Sequence, residues 1–253
     1  MRTSNATSVS SIPFGKTERV TDVIVDLDGT LYSSKAGLEF QIRPKVREHA
    51  SRLTGLDDRS VRMLMVEGRK KYGHGILALR HEYNIDPWEF LEAVYEEIDR
   101  SKIEPYPGLQ EQLSKLQDQA ALHLLTNSNR SHTLEVLRIL NLRGCFASIN
   151  SIEMSDFCLK PHPKAYLNIL KRYDLRASRT LVVDDSYLNL ETARDLGMHT
   201  CLVSNGIAAP PLFWEMHKQE EHAAPSWVDR STHDIVEFIK TLLPGRDSDE
   251  QPN

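Results

Sequence analysis

Val23-Ile24-Val25-Asp26-Leu27-Asp28-Gly29-Thr30 is the stretch that decides the fold. Three β-branched residues in a row, without polar alternation, are the pattern of a strand buried on both faces of a parallel sheet. The acids and glycine that follow must then form a loop at the strand's carboxyl end. The same signal recurs twice. Residues 121–125 read as a strand ending at Thr126-Asn127-Ser128, and residues 180–183 as a strand ending at Asp184-Asp185. Further strands are expected at 148–151 and 200–203, with an edge strand at 226–228. Helices are expected at 109–116, 133–140, 164–173, 188–196 and 234–243. Alternation of this kind predicts the α/β class, with a doubly wound parallel sheet.

Between about 42 and 100 the periods turn helical. Val46, Ala50 and Leu53 make one stripe, Val61, Leu64 and Met65 another, and Phe90, Leu91, Val94 and Ile98 a later one. Asp86-Pro87-Trp88-Glu89 carries a helix start, with Asp86 at the N-cap, Pro87 in the first turn and Glu89 completing a capping box. About four helices between two strands form an inserted all-α domain. The expected organisation is a disordered tail over 1–19, a core built from 20–34 and 105–244, a helical insert over 35–104, and a second tail over 245–253.

The chain has 253 residues, 40% hydrophobic and 26% charged, with a formal net charge of -5. Basic residues are scattered among acids, which argues against nucleic acid polymers and anionic membranes as partners. Cys145, Cys158 and Cys201 are odd in number and far apart, so disulfides and a thiolate metal site are not expected, and a reducing, cytoplasmic compartment is. No apolar run approaches the ~18 residues of a membrane-spanning helix. The first nineteen residues lack the apolar stretch of a secretory signal; a plain tail is expected, with an organellar transit peptide as the alternative.

Binding crevices of open α/β sheets lie at the carboxyl ends of the strands. There this sequence places Asp26 and Asp28, Thr126 and Asn127, and Asp184 and Asp185, while Lys160 stands in a separate loop ahead of a helix. Each has a bland reading. Asp-x-Asp can be a turn signal, Thr126 a locally satisfied hydroxyl, Lys160 a solvated surface residue and Asp184-Asp185 a helix N-cap with its neighbour. Their shared placement at strand ends favours a site. Four carboxylates in one crevice call for a divalent cation, and oxygen-only ligation favours Mg²⁺.

Residues 23–32, Leu125-Thr126-Asn127-Ser128, Lys160-Pro161 and Val183-Asp184-Asp185-Ser186 resemble, in order, the four signature motifs of the haloacid dehalogenase superfamily. The insert resembles that family's helical cap. The resemblance implies that Asp26 is a nucleophile forming an aspartyl phosphate and that Asp28 is a general acid and base. Thr126 and the Asn127 amide would hold phosphate oxygens, and Lys160 would offset charge. Mg²⁺ would be held by Asp26, the Asp28 carbonyl, Asp185 and, through water, Asp184. A halide leaving group needs no acid, so Asp28 favours phosphate ester chemistry over dehalogenation.

Leu31-Tyr32-Ser33-Ser34, Lys71-Tyr72-Gly73, Ser155-Asp156-Phe157 and the residues after Asp185 further resemble the pyrimidine 5'-nucleotidase-like subgroup. That implies a nucleoside 5'-monophosphate as substrate, with Tyr72, His74 and Arg80 as contacts in the cap. One departure stands out: Leu77 occupies the place of an expected arginine. Arg80, one turn on, either substitutes or is a surface residue. Tyr72, His74 and His81, taken singly, read better as satisfied helix-surface residues, and His162 as a loop residue rather than a base, because Asp28 already fills that role. The alternatives are a phosphatase of small phospho-acids or sugar phosphates, a phosphomutase, and a catalytically silent scaffold.

Overall fold

The computed structural model describes residues 11–14, 18–155, 157–204, 225 and 227–243. Two short strands come first, β1 (Ile12–Phe14) and β2 (Glu18–Val20), then β3 (Asp22–Val25). Four helices follow before the next strand: α1 (Leu38–Thr54), α2 (Asp58–Tyr72), α3 (Leu77–Tyr83) and α4 (Pro87–Glu96). The chain continues through α5 (Leu109–Gln117), β4 (Ala121–Leu125), α6 (Arg130–Ile139), β5 (Ser148–Asn150), α7 (Pro163–Arg172) and β6 (Thr180–Asp184). It closes with α8 (Tyr187–Asp195), β7 (His199–Val203), β8 (Arg230–Thr232) and α9 (Ile235–Leu242).

The main sheet is six-stranded, in the order β5-β4-β3-β6-β7-β8, and every pairing in it is parallel. The chain starts at the centre with β3, steps outward through β4 and β5, then crosses back to place β6 on the other flank of β3. In open sheets of this kind the binding crevice lies at such a reversal, here outside the carboxyl ends of β3 and β6. Successive side chains of a strand face opposite ways. Val23 and Val25 accordingly join the apolar cluster with Leu113, Leu116, Val136 and Phe238, and Ile24 joins Tyr166, Ile169, Val182 and Leu190 on the other face. Burial on both sides is why β3 reads as an unbroken apolar run.

The insert is helical throughout, as expected. Its Leu38, Ala50, Val61, Leu79, Phe90 and Val94 belong to the same apolar cluster as Val23 and Val25. Asp86 accepts hydrogen bonds from the N–H groups of Trp88 and Glu89, with Pro87 in the first turn of α4. Two of the site loops end in helix caps, Asn129 ahead of α6 and Ser186 ahead of α8.

Two expectations need correction. Folded structure begins before Val20: β1 pairs antiparallel with β2, and Ile12 and Phe14 are buried. The Arg230 guanidinium lies 5.5 Å over the Phe14 ring. An apolar-Pro-apolar triplet carries a weak strand signal, because proline cannot donate to a ladder; here the partner strand and the core behind it decide. The edge strand is β8 at Arg230–Thr232, and it follows the stretch where it was expected. Its residues are largely exposed, so no apolar run marked it. Residues 1–10, the expected tail over 245–253, Asp156 and Ser226 lie outside the described residues. Among the described residues, no helix is long and apolar enough to cross a membrane.

Candidate active site

At the end of β3 the Asp26 N–H donates to the Val183 carbonyl, at 2.9 Å. This keeps the first loop against β6 and sends the Asp26 side chain into the crevice, where 7% of the residue is exposed. The Lys160 ammonium meets it. Its Nζ lies 2.7 Å from Asp26 Oδ1 and 2.7 Å from Asp184 Oδ2, and the lysine is itself buried. Asp184 is tied a second time, because its Oδ1 accepts from the Ser186 N–H and from Asn189 Nδ2, each at 2.9 Å.

Asp26, Asp184 and Asp185 each present a carboxylate oxygen, and these oxygens lie within 4.8 Å of one another. One ammonium among three acids leaves the cluster negative. Burial, reinforced by Asp184 and Asp28, pushes the Asp26 carboxyl up to about 7 against the pull of Lys160. Burial and the neighbouring Asp26 and Asp184 raise Asp185 well above the carboxylate range. Burial alone would depress Lys160, but Asp184 and Asp26 outweigh it and hold the ammonium above the usual lysine range. A buried, oxygen-only, under-neutralised set of this kind suits a hard divalent cation. The backbone is shaped for it too. Gly29 has φ +82, and a Cβ there would run into the Asp185 carboxylate, 2.9 Å from its Cγ and nearer still to Oδ2.

The second loop secures the lysine. Asn127 Nδ2 donates to the Lys160 carbonyl at 3.0 Å, and Asn127 Oδ1 accepts from the Lys160 N–H at 2.9 Å. The side chain of Asn127 is thus spent on the lysine's backbone. Thr126 is buried beside it, and its Oγ1 accepts from the Ser128 N–H at 3.0 Å, leaving the hydroxyl proton to be directed elsewhere.

Asp28 stands apart from this cluster. Its Oδ1 accepts from the Tyr32 hydroxyl and lies 3.4 Å from His132 Nε2. Its Oδ2 accepts from the Ser128 hydroxyl at 2.6 Å. Burial works to raise the carboxyl, yet the hydrogen bonds from His132, Ser128 and Tyr32 hold it below the usual carboxylate range. Instead of four side chains converging, three carboxylates converge, and Asp28 flanks them with a third of its side chain exposed.

In the insert, His74 is half-buried, with its ring 5.9 Å from that of Phe157, three residues ahead of Lys160. Burial, then the charge of Arg69, lowers His74 to about 4, so it meets the loop as a neutral ring. Tyr72 stacks on His81 at 4.2 Å, and Arg80 is exposed. Neither Tyr72 nor Arg80 touches the acidic cluster. His162 caps α7 by accepting from the Lys164 N–H, a loop role as the bland reading had it. Sequence reasoning missed Tyr32, Ser128, His132 and Asn189 as site residues.

The family described as haloacid dehalogenase-like hydrolase matches residues 23–197. The chain belongs to this family. This hydrolase is 26% identical over 195 residues to a phosphoglycolate phosphatase of Mesorhizobium japonicum, covering 73% of this chain and 82% of that one. Among solved structures it is similar to a HAD phosphatase from Thermococcus onnurineus, at 18% identity and TM-score 0.54, over 88% of this chain and 98% of that one. It is also similar to an L-2-haloacid dehalogenase from Xanthobacter autotrophicus with chloropropionic acid covalently bound, at 16% identity and TM-score 0.53, over 88% and 98%. At these identities the two structures support the shared fold.

Proposed function

We propose that this hydrolase cleaves phosphate monoesters through an aspartyl phosphate on Asp26, with Mg²⁺ as cofactor. The observation that carries the reading is the buried triangle of Asp26, Lys160 and Asp184, with Asp185 alongside, at the point where the strand order reverses. The Asp26 carboxylate attacks phosphorus and displaces the ester oxygen, splitting one displacement into two. Lys160 offsets the charge of nucleophile and phosphate together, and the Thr126 hydroxyl and Asn127 amide hold phosphate oxygens. Asp28 hands a proton to the leaving oxygen, then takes one from the water that hydrolyses the acyl phosphate. In the free site it is ionised; a phosphate dianion beside it raises its affinity for the proton it must deliver. Mg²⁺, held by Asp26, the Asp28 carbonyl, Asp185 and Asp184, would neutralise phosphate oxygens.

For the substrate we infer a nucleoside 5'-monophosphate with a pyrimidine base, its nucleoside being the leaving group, a reading carried by the sequence resemblance in the cap over 35–104. Arg80 is the cap residue on which that reading depends, since it is exposed and charged, whereas His74 is neutral and packed on Phe157. The relative named as a phosphoglycolate phosphatase favours a second reading, a small phospho-acid.

Two assays decide these points. Asp26→Asn is expected to lower kcat by at least ~10³, because an amide is not a competent nucleophile. EDTA is expected to abolish wild-type turnover. Near wild-type turnover by Asp26→Asn removes the covalent mechanism, and full activity in EDTA removes the metal. A panel of UMP, CMP, AMP, phosphoglycolate and a hexose phosphate, run on wild type and Arg80→Ala, ranks the leaving groups. A pyrimidine preference that Arg80→Ala erases supports the nucleotide, and best turnover of phosphoglycolate by both supports the phospho-acid.

A further inference from the structure

Asp28 is joined to the insert through both of its oxygens. Tyr32 and His132 reach Oδ1, and Ser128 reaches Oδ2. Behind these stand two residues at the end of the insert. Arg100 Nε donates to His132 Nδ1 at 3.1 Å, and the Tyr95 hydroxyl donates to Ser128 Oγ at 3.3 Å. Arg100 is itself anchored, its other guanidinium nitrogens donating to the carbonyls of Ile98 (3.0 Å) and Tyr95 (2.7 Å).

The direction of each hydrogen bond follows from the groups involved. A guanidinium has donors only, so the His132 Nδ1 that receives Arg100 carries no proton. The ring proton of the neutral imidazole is then on Nε2, which faces Asp28 Oδ1. His132 is fully buried, and its ring lies against Tyr95 with centroids 4.8 Å apart, so it is not free to turn. An ionised carboxylate has about four lone-pair sites, two on each oxygen. Tyr32 and His132 occupy both on Oδ1, and Ser128 occupies one on Oδ2. Of the donors to Asp28 among the described residues, these leave one site, on Oδ2.

We propose that His132 is a positioning residue: with its tautomer fixed by Arg100, it holds the Asp28 carboxylate so that the proton of the reaction passes through Oδ2. The assignment rests on the reading of Asp28 as general acid and base. No bond to His132 forms or breaks. The proton moves from Asp28 Oδ2 to the ester oxygen in the first half and from water to Asp28 Oδ2 in the second. His132 keeps Oδ1 engaged and stops the carboxylate from rotating about its bond to Cβ.

The test compares two substrates of nearly the same shape, p-nitrophenyl phosphate and phenyl phosphate. Nitrophenolate leaves without help, whereas phenolate needs the acid. Two uncharged variants separate the contacts of His132. His132→Gln can present an amide N–H near the position of Nε2, while His132→Asn places its amide near Nδ1 and falls short of Asp28. His132→Asn is expected to lose at least about tenfold more kcat on phenyl phosphate than on p-nitrophenyl phosphate, part of the 10²–10⁴-fold that a general acid supplies. KM is expected to stay within about twofold, and His132→Gln to recover most of the loss on phenyl phosphate. The ratio is read within each variant, so a partly unfolded population cancels. Equal losses on both substrates, or a glutamine no better than asparagine, would show that the histidine only packs. The underlying reading is checked separately: turnover by Asp26→Asn would remove the phosphatase mechanism itself. An inactive Asp26→Asn beside an unchanged His132→Asn ratio removes the role of His132 alone.

Discussion

Alanine at Gly29 tests the proposed metal site through the backbone, without removing a single candidate ligand atom. An added Cβ would sit 2.9 Å from Asp185 Cγ, where ordinary contact begins at 3.4 Å, and its clash with Oδ2 is closer. Either the carboxylate retreats by at least about half an ångström or the loop carrying Asp26 and Asp28 gives way. Metal–ligand distances tolerate about ±0.2 Å, so both responses spoil the cation's shell. The left-handed φ of +82 adds roughly 1 kcal/mol of strain for any residue with a Cβ. The expected outcome is a half-saturating Mg²⁺ concentration at least tenfold higher, about 1.4 kcal/mol of lost binding. Tm should fall by only about 2–8 °C for 1–2 kcal/mol. Both are read from a Mg²⁺ titration of p-nitrophenyl phosphate hydrolysis and a thermal melt. Asp185→Ala provides the reference, and Gly29→Ala added to it should cost little more, because the two changes act on one group. A Gly29→Ala enzyme with wild-type Mg²⁺ dependence and kcat would refute the argument that Asp185 is held against this loop to receive the cation.

Two further outcomes follow from side chains around the site. Asn127→Ala removes both hydrogen bonds to the Lys160 backbone, and is expected to cost about 1–3 kcal/mol in urea unfolding. It should lower kcat by about 10²-fold as the ammonium loses its place; an unchanged kcat would show that Lys160 is held without it. His74 gives a pH dependence of stability. Its folded pKa of about 4 lies below the ordinary 6.5, so below pH 6.5 the unfolded chain takes up a proton that the folded chain refuses. Stability is therefore complete above about pH 6.5 and declines as pH falls toward 4, by about 1–2 kcal/mol after allowing for the ring's partial exposure. His74→Gln should remove that part of the slope in unfolding titrations at pH 7.5 and 5, and an identical slope would refute it.

The fold was legible where burial on two faces leaves an unbroken β-branched run, as at Val23-Ile24-Val25, and where a helical period repeats, as from Val46 to Ile98. The loops of the candidate site were legible because they follow such strands. What escaped was whatever depends on distant partners. Ser128 and His132 lie 100 and 104 residues from the Asp28 they bind, and nothing local in the chain marks that pairing. Asn127 was read for an amide that holds phosphate, while its side chain clamps the Lys160 backbone. The strand at Ile12–Phe14 was hidden by its proline, and that at Arg230–Thr232 by its exposure.

Phe157 carries a consequence for how the two parts of this enzyme relate. It sits at φ +61, a conformation that a bulky side chain rarely adopts, in the loop that leads to Lys160. The insert receives its ring, which stacks on Trp88 of α4 at 4.0 Å and lies 5.9 Å from His74. The loop that carries Lys160 is therefore shaped in part by residues of the insert. Core and insert are not interchangeable modules. A chimera carrying another relative's insert would leave Phe157 without Trp88 and His74 and release the strained loop that carries Lys160. Transplanting Trp88 and His74 together with Phe157 would be the minimum for such an exchange to keep the lysine in place.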